Sequence, residues 1–180
     1  MTQIPEENYA LELDAVDRSL PPRQAGEKET LVAFLDWHRA TLAAKCAGVP
    51  PERLSDQVVP PSTLSLHGLV RHLAAVERWW FRQQFAGEDL PILYYSDEDP
   101  DQDFESLDGD VGEALNVWRA ECDCSRAIVA AASLDDRGRA PARRGDFTLR
   151  WLLVNMLAEY ARHNGHADLL RERIDGATGY

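Results

Sequence analysis

Apolar residues recur at helical spacing in four long stretches of the chain, and charged or polar residues fill most of the positions between them. These stretches cover about residues 27–47, 62–85 (beginning at Ser62 or Ser65), 111–133 and 148–174. No stretch shows the sustained apolar–polar alternation, bounded by tight turns, that predicts β-hairpins. The pattern therefore predicts an all-α protein.

The predicted helices carry recognisable start and stop signals. Gly48, Gly87 and Gly176 follow the first, second and fourth stretches, and a glycine just past a helix is a common stop signal. A serine precedes the second stretch, as expected at an N-cap. Four helices of this length are typical of a four-helix bundle.

The lengths of the links predict how the bundle is connected. The first and third links are short, whereas residues 87–110, between the second and third helices, are numerous enough to span a helix of roughly 30–37 Å at 1.5 Å per residue. We therefore expect an up-down-down-up bundle with a long crossover. Residues 27–176 would form this single domain, and residues 1–26, which contain Pro21 and Pro22, an extended N-terminal arm.

Charge is distributed unevenly. The 180 residues carry a formal net charge of −12, and residues 87–110 hold ten Asp or Glu and no Lys or Arg. A nucleic acid or an anionic membrane surface is therefore an unexpected partner, since both require a basic patch. The chain has no long apolar run and no signal-like start, and its three Cys show no paired spacing. These features predict a cytoplasmic protein with spare thiols.

The acidic crossover contains a segment that superficially resembles a calcium-binding loop. Counted from Asp99, it has Pro at the second position and lacks the glycine that such a loop needs at the sixth. We interpret it instead as a solvated loop whose first half, including Tyr94 and Tyr95, packs onto the bundle near the pocket.

The last helix carries polar residues on a stripe that should be buried. At about 100° per residue, Glu159, His163 and His166 fall within about 60° of one another, on the stripe that also holds Leu152 and other apolar residues. The neighbouring positions are apolar nearly all round, which predicts a buried helix. Buried carboxylate and imidazole groups need partners or a metal ion, so this stripe predicts a functional site.

A second helix can supply a further donor. His72 lies on the apolar stripe of the second helix and is the best candidate, whereas His67 points about 140° away from it. His38 could approach from the first helix. A carboxylate with two imidazoles is a donor set typical of catalytic zinc, which keeps a fourth position open; nickel or iron would also be tolerated.

Three segments of the chain are distinctive, namely Phe34–Leu42, Leu69–Phe81 and Glu159–Glu172. They resemble segments of the DinB-like four-helix bundles, in particular of the branch related to mycothiol-dependent maleylpyruvate isomerase and mycothiol S-transferases. The resemblance covers nearly the whole chain and implies a divalent metal held by His72, Glu159 and His163. Glu in place of the commoner His at position 159 favours the mycothiol-linked branch. Asn155 departs from the His that similar sequences often carry there.

The resemblance also implies a reaction. A low-molecular-weight thiol, mycothiol or a similar compound, would bind the metal, lose its proton and attack an electrophilic small molecule. Residues in an outer shell or facing the substrate would be His38, Asn155 and His166, the last being a reserve ligand. Carboxylates of the thiol would find candidate partners in Arg78, Arg82 and Arg162.

A second function is compatible with the same sequence. A DinB-like bundle could bind a metal or a small ligand without turnover, as a stress-associated protein, and a homodimer is compatible with either function. The fold alone does not distinguish the two.

Overall fold

The structure is a computed structural model, and the residues that it describes are 18–107, 109–139 and 146–178. Within these ranges the regular structure is helical, apart from an isolated β-bridge between Arg137 and Thr148. The prediction of an all-α fold is confirmed. Residues 1–17 of the predicted N-terminal arm lie outside the described ranges, and residues 18–26 form no helix.

Four long helices build the bundle in the described part of the chain. They are α1 (Glu27–Cys46), α2 (Leu66–Glu77, continued by π-helical turns over Arg78–Phe85), α4 (Val111–Ala131) and α5 (Leu149–Asp175). A short helix, α3 (Gln102–Glu105), lies within the crossover, and a 3-10 turn (Pro51–Arg53) lies between α1 and α2. Neither short element was predicted, because each is too brief to show a helical period.

The ends of the helices follow the expected chemistry. The side chain of Ser65 accepts a hydrogen bond from the N–H of Gly68, so α2 starts after the later of the two predicted serines. Thr148 caps α5 in the same way. Gly48 and Gly176 adopt positive φ angles of 72° and 80°, a conformation that side chains rarely tolerate, and this explains why glycine ends α1 and α5.

Contacts between the helices give their relative directions. The start of α1 meets the start of α5, where Arg150 pairs with Glu27 at 2.7 Å, and their ends meet where Arg171 donates to the carbonyl of Ala47 at 2.6 Å. These two helices therefore run in parallel.

Helices α2 and α5 run in opposite directions, because His72 near the start of α2 contacts Glu159, and Trp80 near its end contacts Trp151. In contrast, α2 and α4 run in parallel: Asp110 lies near His67, and Glu121 binds Arg78. The four directions are thus up, down, down and up.

The prediction that α5 is buried nearly all round is wrong in part. Its core stripe is buried, with Leu152 and Met156 fully inaccessible, but Trp151 and Val154 are 49% and 52% exposed. The reason is that α5 packs mainly against α1 and also against α2, which leaves part of its circumference facing solvent. Apolar residues all round a helix therefore did not mean burial all round.

A buried ion pair ties the helices together at mid-height. Glu77 of α2 is fully inaccessible to solvent and accepts two hydrogen bonds of 2.8 Å from the guanidinium of Arg39 in α1. The hydroxyl of Tyr160 in α5 donates to the same carboxylate at 2.7 Å, and the indole N–H of Trp118 in α4 donates to that hydroxyl at 2.9 Å. All four long helices thus contribute to one polar network.

Replacing Glu77 with glutamine should therefore destabilise the fold. The substitution preserves the shape of the side chain but leaves the charge of Arg39 uncompensated by Glu77. We expect a loss of about 3 kcal/mol in the free energy of unfolding, the low end for a broken buried pair, because Asp36 still accepts one bond from Arg39. Urea unfolding of the variant and the unaltered protein measures this loss.

The matched control is Glu172→Gln, at an exposed glutamate of α5, which should change the free energy of unfolding by less than about 0.5 kcal/mol. Equal midpoints for the two variants would contradict the role given to the pair.

Candidate metal centre

Three polar side chains from two helices converge inside the bundle. His72 comes from α2, and Glu159 and His163 come from α5. One donor atom of each residue lies within 4.8 Å of the other two. Oε1 of Glu159 is 3.1 Å from Nε2 of His72 and 3.2 Å from Nε2 of His163. The structure thus brings together the three residues that the sequence suggested as metal ligands.

Local geometry explains this convergence. Glu159 and His163 are four residues apart on α5, so their side chains lie one above the other on the same face. The opposite direction of α2 brings His72 alongside them, with its ring centroid 4.7 Å from that of His163. Their burial is graded: the side chain of His163 is 9% exposed, against 19% for His72 and 23% for Glu159. One side of the triad is therefore open to solvent.

Two residues of the crossover complete the surroundings of His72. Oδ2 of Asp103 lies 2.7 Å from Nδ1 of His72, and the ring of Phe104 stacks on the imidazole at 4.7 Å with an interplanar angle of 27°. Asp103 is buried, in contrast to the predicted solvated loop. Sequence reasoning missed it because it stands in a run of acidic residues, where the nearby Phe104 was the only local sign of packing.

The electrostatics of the triad reflect these contacts. Burial alone would lower the pKa of His72, but the hydrogen bonds with Asp103 and Glu159 outweigh burial and raise it to about 9. Hydrogen bonds from His163 and His72 hold the pKa of Glu159 well below its usual range. Glu159 is therefore an anion at any physiological pH, which is the form a metal ligand requires.

The other predicted histidines occupy more peripheral places. Nδ1 of His166 lies 3.4 Å from Nδ1 of His163, and burial followed by the nearby His163 lowers the pKa of His166. His38 is hydrogen-bonded by Asn164, whose amide nitrogen lies 3.1 Å from its Nδ1, and burial lowers its pKa. Asn155 is half-buried on α5, one turn before Glu159.

The three arginines suggested as thiol-binding residues differ in their surroundings. Arg78 and Arg82 both bind the buried carboxylate of Glu121, at 2.6 Å and 3.1 Å, and Arg82 also binds Glu88 at 2.8 Å. Arg162 has a side chain that is 66% exposed and lies 3.7 Å from Oε2 of Glu159. Of the three, Arg162 is the one that stands beside the triad with its charge turned towards solvent.

A cavity of about 650 Å³ lies elsewhere, among the start of α1, the later part of α4 and Leu153 of α5. The surface that faces this cavity is almost entirely apolar, although charged residues stand among its lining, and none of the triad residues lines it. We therefore locate the candidate chemistry at the triad rather than in this cavity, since the triad holds the convergent donor groups.

The comparison with known families agrees with this geometry. A family model described as mycothiol-S-transferase matches residues 30–176, most of the chain. The chain belongs to the mycothiol S-transferase family. This family is DinB-like, so the resemblance noted in the sequence is confirmed. No curated protein matches the chain. The matched span contains every residue of the triad and the crossover that carries Asp103.

Within the described ranges, none of the helices of this family member has the length and apolar character that crossing a membrane requires.

Zinc should stabilise the protein through the triad. A ligand that binds only the folded state raises the free energy of unfolding by about 2.7 kcal/mol when its free concentration is 100 times its Kd. We expect such a gain for the unaltered protein, measured by thermal unfolding with and without buffered zinc. His163→Ala should remove most of the gain, and His166→Ala should retain most of it.

The two variants distinguish the triad from the reserve ligand. Were His166→Ala to lose the stabilisation while His163→Ala kept it, the ligand set would have to include His166 in place of His163.

Proposed function

We propose that this protein is a metal-dependent mycothiol S-transferase. His72, Glu159 and His163 would hold a divalent cation, zinc being the best suited, and mycothiol or a similar thiol would be the sulfur donor to an electrophilic small molecule. The observation that carries this proposal is the convergence of the three donor atoms within 4.8 Å. Membership of the mycothiol S-transferase family supports the choice of thiol.

The donor set fits a catalytic zinc site. Two imidazoles and one carboxylate are a typical three-ligand set that leaves a fourth position open. Ligands about 2.0–2.1 Å from a tetrahedral ion are roughly 3.3 Å apart. Oε1 of Glu159 already lies 3.1 Å and 3.2 Å from the two imidazole nitrogens. The two imidazole nitrogens lie within 4.8 Å of each other, so they would move together by at most about 1.5 Å to share one ion.

The charge of the site suits an anionic sulfur. When bound, a dication would lower the pKa of a coordinated thiol and stabilise its anion. Glu159 contributes one negative charge and the two histidines none in their ligating form, so a dication and its three ligands would together carry a net positive charge. The side chains of His72 and Glu159 are partly exposed, and a thiol would approach from that side.

The transfer itself requires a proton and an electron pair to move. The thiol loses its proton to solvent, and the sulfur electron pair forms a bond to an electrophilic carbon. The electrophile then releases a leaving group or takes up a proton. The exposed guanidinium of Arg162, 3.7 Å from Oε2 of Glu159, would attract anionic groups of either substrate towards the triad.

The protein's own thiols are poorly suited to replace an external thiol. Burial raises the pKa of Cys46 to about 12, and burial likewise raises the pKa of Cys122. Such thiols remain protonated and inaccessible near neutral pH. Cys124 is half-buried on α4, outside the triad. These features favour a nucleophile supplied by a cosubstrate.

Removing either kind of ligand should abolish the transfer. We expect His72→Ala and Glu159→Ala to lower the rate of thiol consumption, with zinc and an electrophile such as a haloalkane present, by more than about 100-fold, beyond the loss typical of outer-shell partners. Cys124→Ser is the matched control and should keep the full rate. The assay follows loss of free thiol.

Two results would contradict parts of the proposal. Unimpaired ligand variants would mean that the triad has no role in turnover. Tight zinc binding without thiol consumption, across chemically distinct electrophiles, would favour the non-catalytic, metal-binding alternative.

A further inference from the structure

We propose that Asp103, carried by the acidic crossover, is a positioning residue that orients His72 for metal binding. This inference rests on the proposed metal-dependent function and adds a fourth residue to its site. Asp103 would not touch the cation or the substrate but would act through the imidazole.

The geometry assigns the two ring nitrogens of His72 to different partners. Oδ2 of Asp103 accepts at 2.7 Å from Nδ1, so Nδ1 is the nitrogen that keeps its hydrogen when the ring is in its neutral, ligating form. Nε2, the atom 3.1 Å from Oε1 of Glu159, is then the atom that can bind a cation. A carboxylate behind a ligating histidine fixes the tautomer and the ring orientation, and raises the basicity of the ligand.

The burial of Asp103 sets it apart from its neighbours. The other acidic residues of the range 87–110 that the structure describes are exposed, whereas the side chain of Asp103 is 4% exposed. Its second oxygen, Oδ1, has no hydrogen-bond partner within the described ranges. Burying a carboxylate with one satisfied oxygen is costly. The hydrogen bond with His72 is the interaction that offsets this cost.

The crossover is held in place around this contact. Arg71 of α2 donates hydrogen bonds to the carbonyl of Gln102, at 3.3 Å, and to the carbonyl of Ser106. These two bonds hold both ends of α3 against α2. Phe104 stacks on His72, and its backbone passes so close to Gly68 that a Cβ there would lie 3.2 Å from the Cα of Phe104. Asp103 therefore reaches His72 from a segment anchored on both sides.

Zinc affinity of matched variants tests this role without relying on turnover. The full-length protein would be compared with Asp103→Ala, Asp103→Asn and Asp101→Ala, each titrated with zinc against a chromophoric chelator. Asp101→Ala removes an exposed carboxylate from the same segment and so controls for the loss of charge. Thermal unfolding of the metal-free forms reports whether each variant remains folded, and the visible spectrum of the Co²⁺-loaded forms reports ligand geometry.

We expect Asp103→Ala to bind zinc 10–100-fold more weakly, with a changed Co²⁺ spectrum, and Asp101→Ala to match the unaltered protein. Asp103→Asn keeps the size and an acceptor oxygen, so its loss should be smaller but measurable.

The outcomes separate this inference from the proposed function. Equal zinc affinity of the folded Asp103 variants and the unaltered protein would overturn the role of Asp103 alone. Should Asp103→Ala fail to fold, unchanged affinity in Asp103→Asn would do the same. Failure of the unaltered protein to bind zinc would instead overturn the metal-dependent function, and this inference with it.

Discussion

The buried pair between Arg39 and Glu77 is the constraint on which the rest of the structure depends. It joins α1 to α2, and through Tyr160 and Trp118 it reaches α5 and α4. A hydrogen-bonded charge pair has few acceptable geometries in an apolar core, so sliding one helix along another would leave buried charges unpaired. The pair therefore sets the register of the bundle. It also sets the candidate metal centre, because Tyr160 is adjacent to Glu159, and Glu77 lies five residues after His72.

Much of the fold could be predicted because it rests on local periodicity. The long helices begin and end within a few residues of the predicted bounds, and the caps at Ser65 and Thr148 act through side-chain chemistry visible in the sequence. The pairing of Glu159 with His163 was likewise predictable, since residues four apart on a helix share a face. His72 required the further assumption that its helix packs against the last one.

The remaining features depend on contacts between distant segments, which a single sequence does not display. Glu77 is a polar residue among apolar ones, and nothing local distinguishes a glutamate that will meet a buried arginine from one at the surface. The burial of Asp103 was equally hard to predict, because the other acidic residues near it in the chain are exposed. The exposed Trp151 shows that an apolar residue can also mislead, since helix packing, not composition, decides which faces are covered.

The carboxylates of Glu77 and Glu159 differ in a way that separates structure from chemistry. The carboxylate of Glu77 is fully inaccessible and is bound by Arg39 and Tyr160, so no lone pair faces solvent or a ligand. Glu159 shares a single oxygen between two imidazoles and remains 23% exposed. A cation bound as we propose would replace the hydrogen bonds between Glu159 and the two imidazoles, and the core would stay closed. A fully satisfied network such as that of Glu77 holds the helices together, whereas a partly open one such as that of Glu159 is suited to binding a ligand. Tyr160, which binds Glu77, is adjacent to Glu159 in α5, so the network of Glu77 makes the candidate metal centre more rigid.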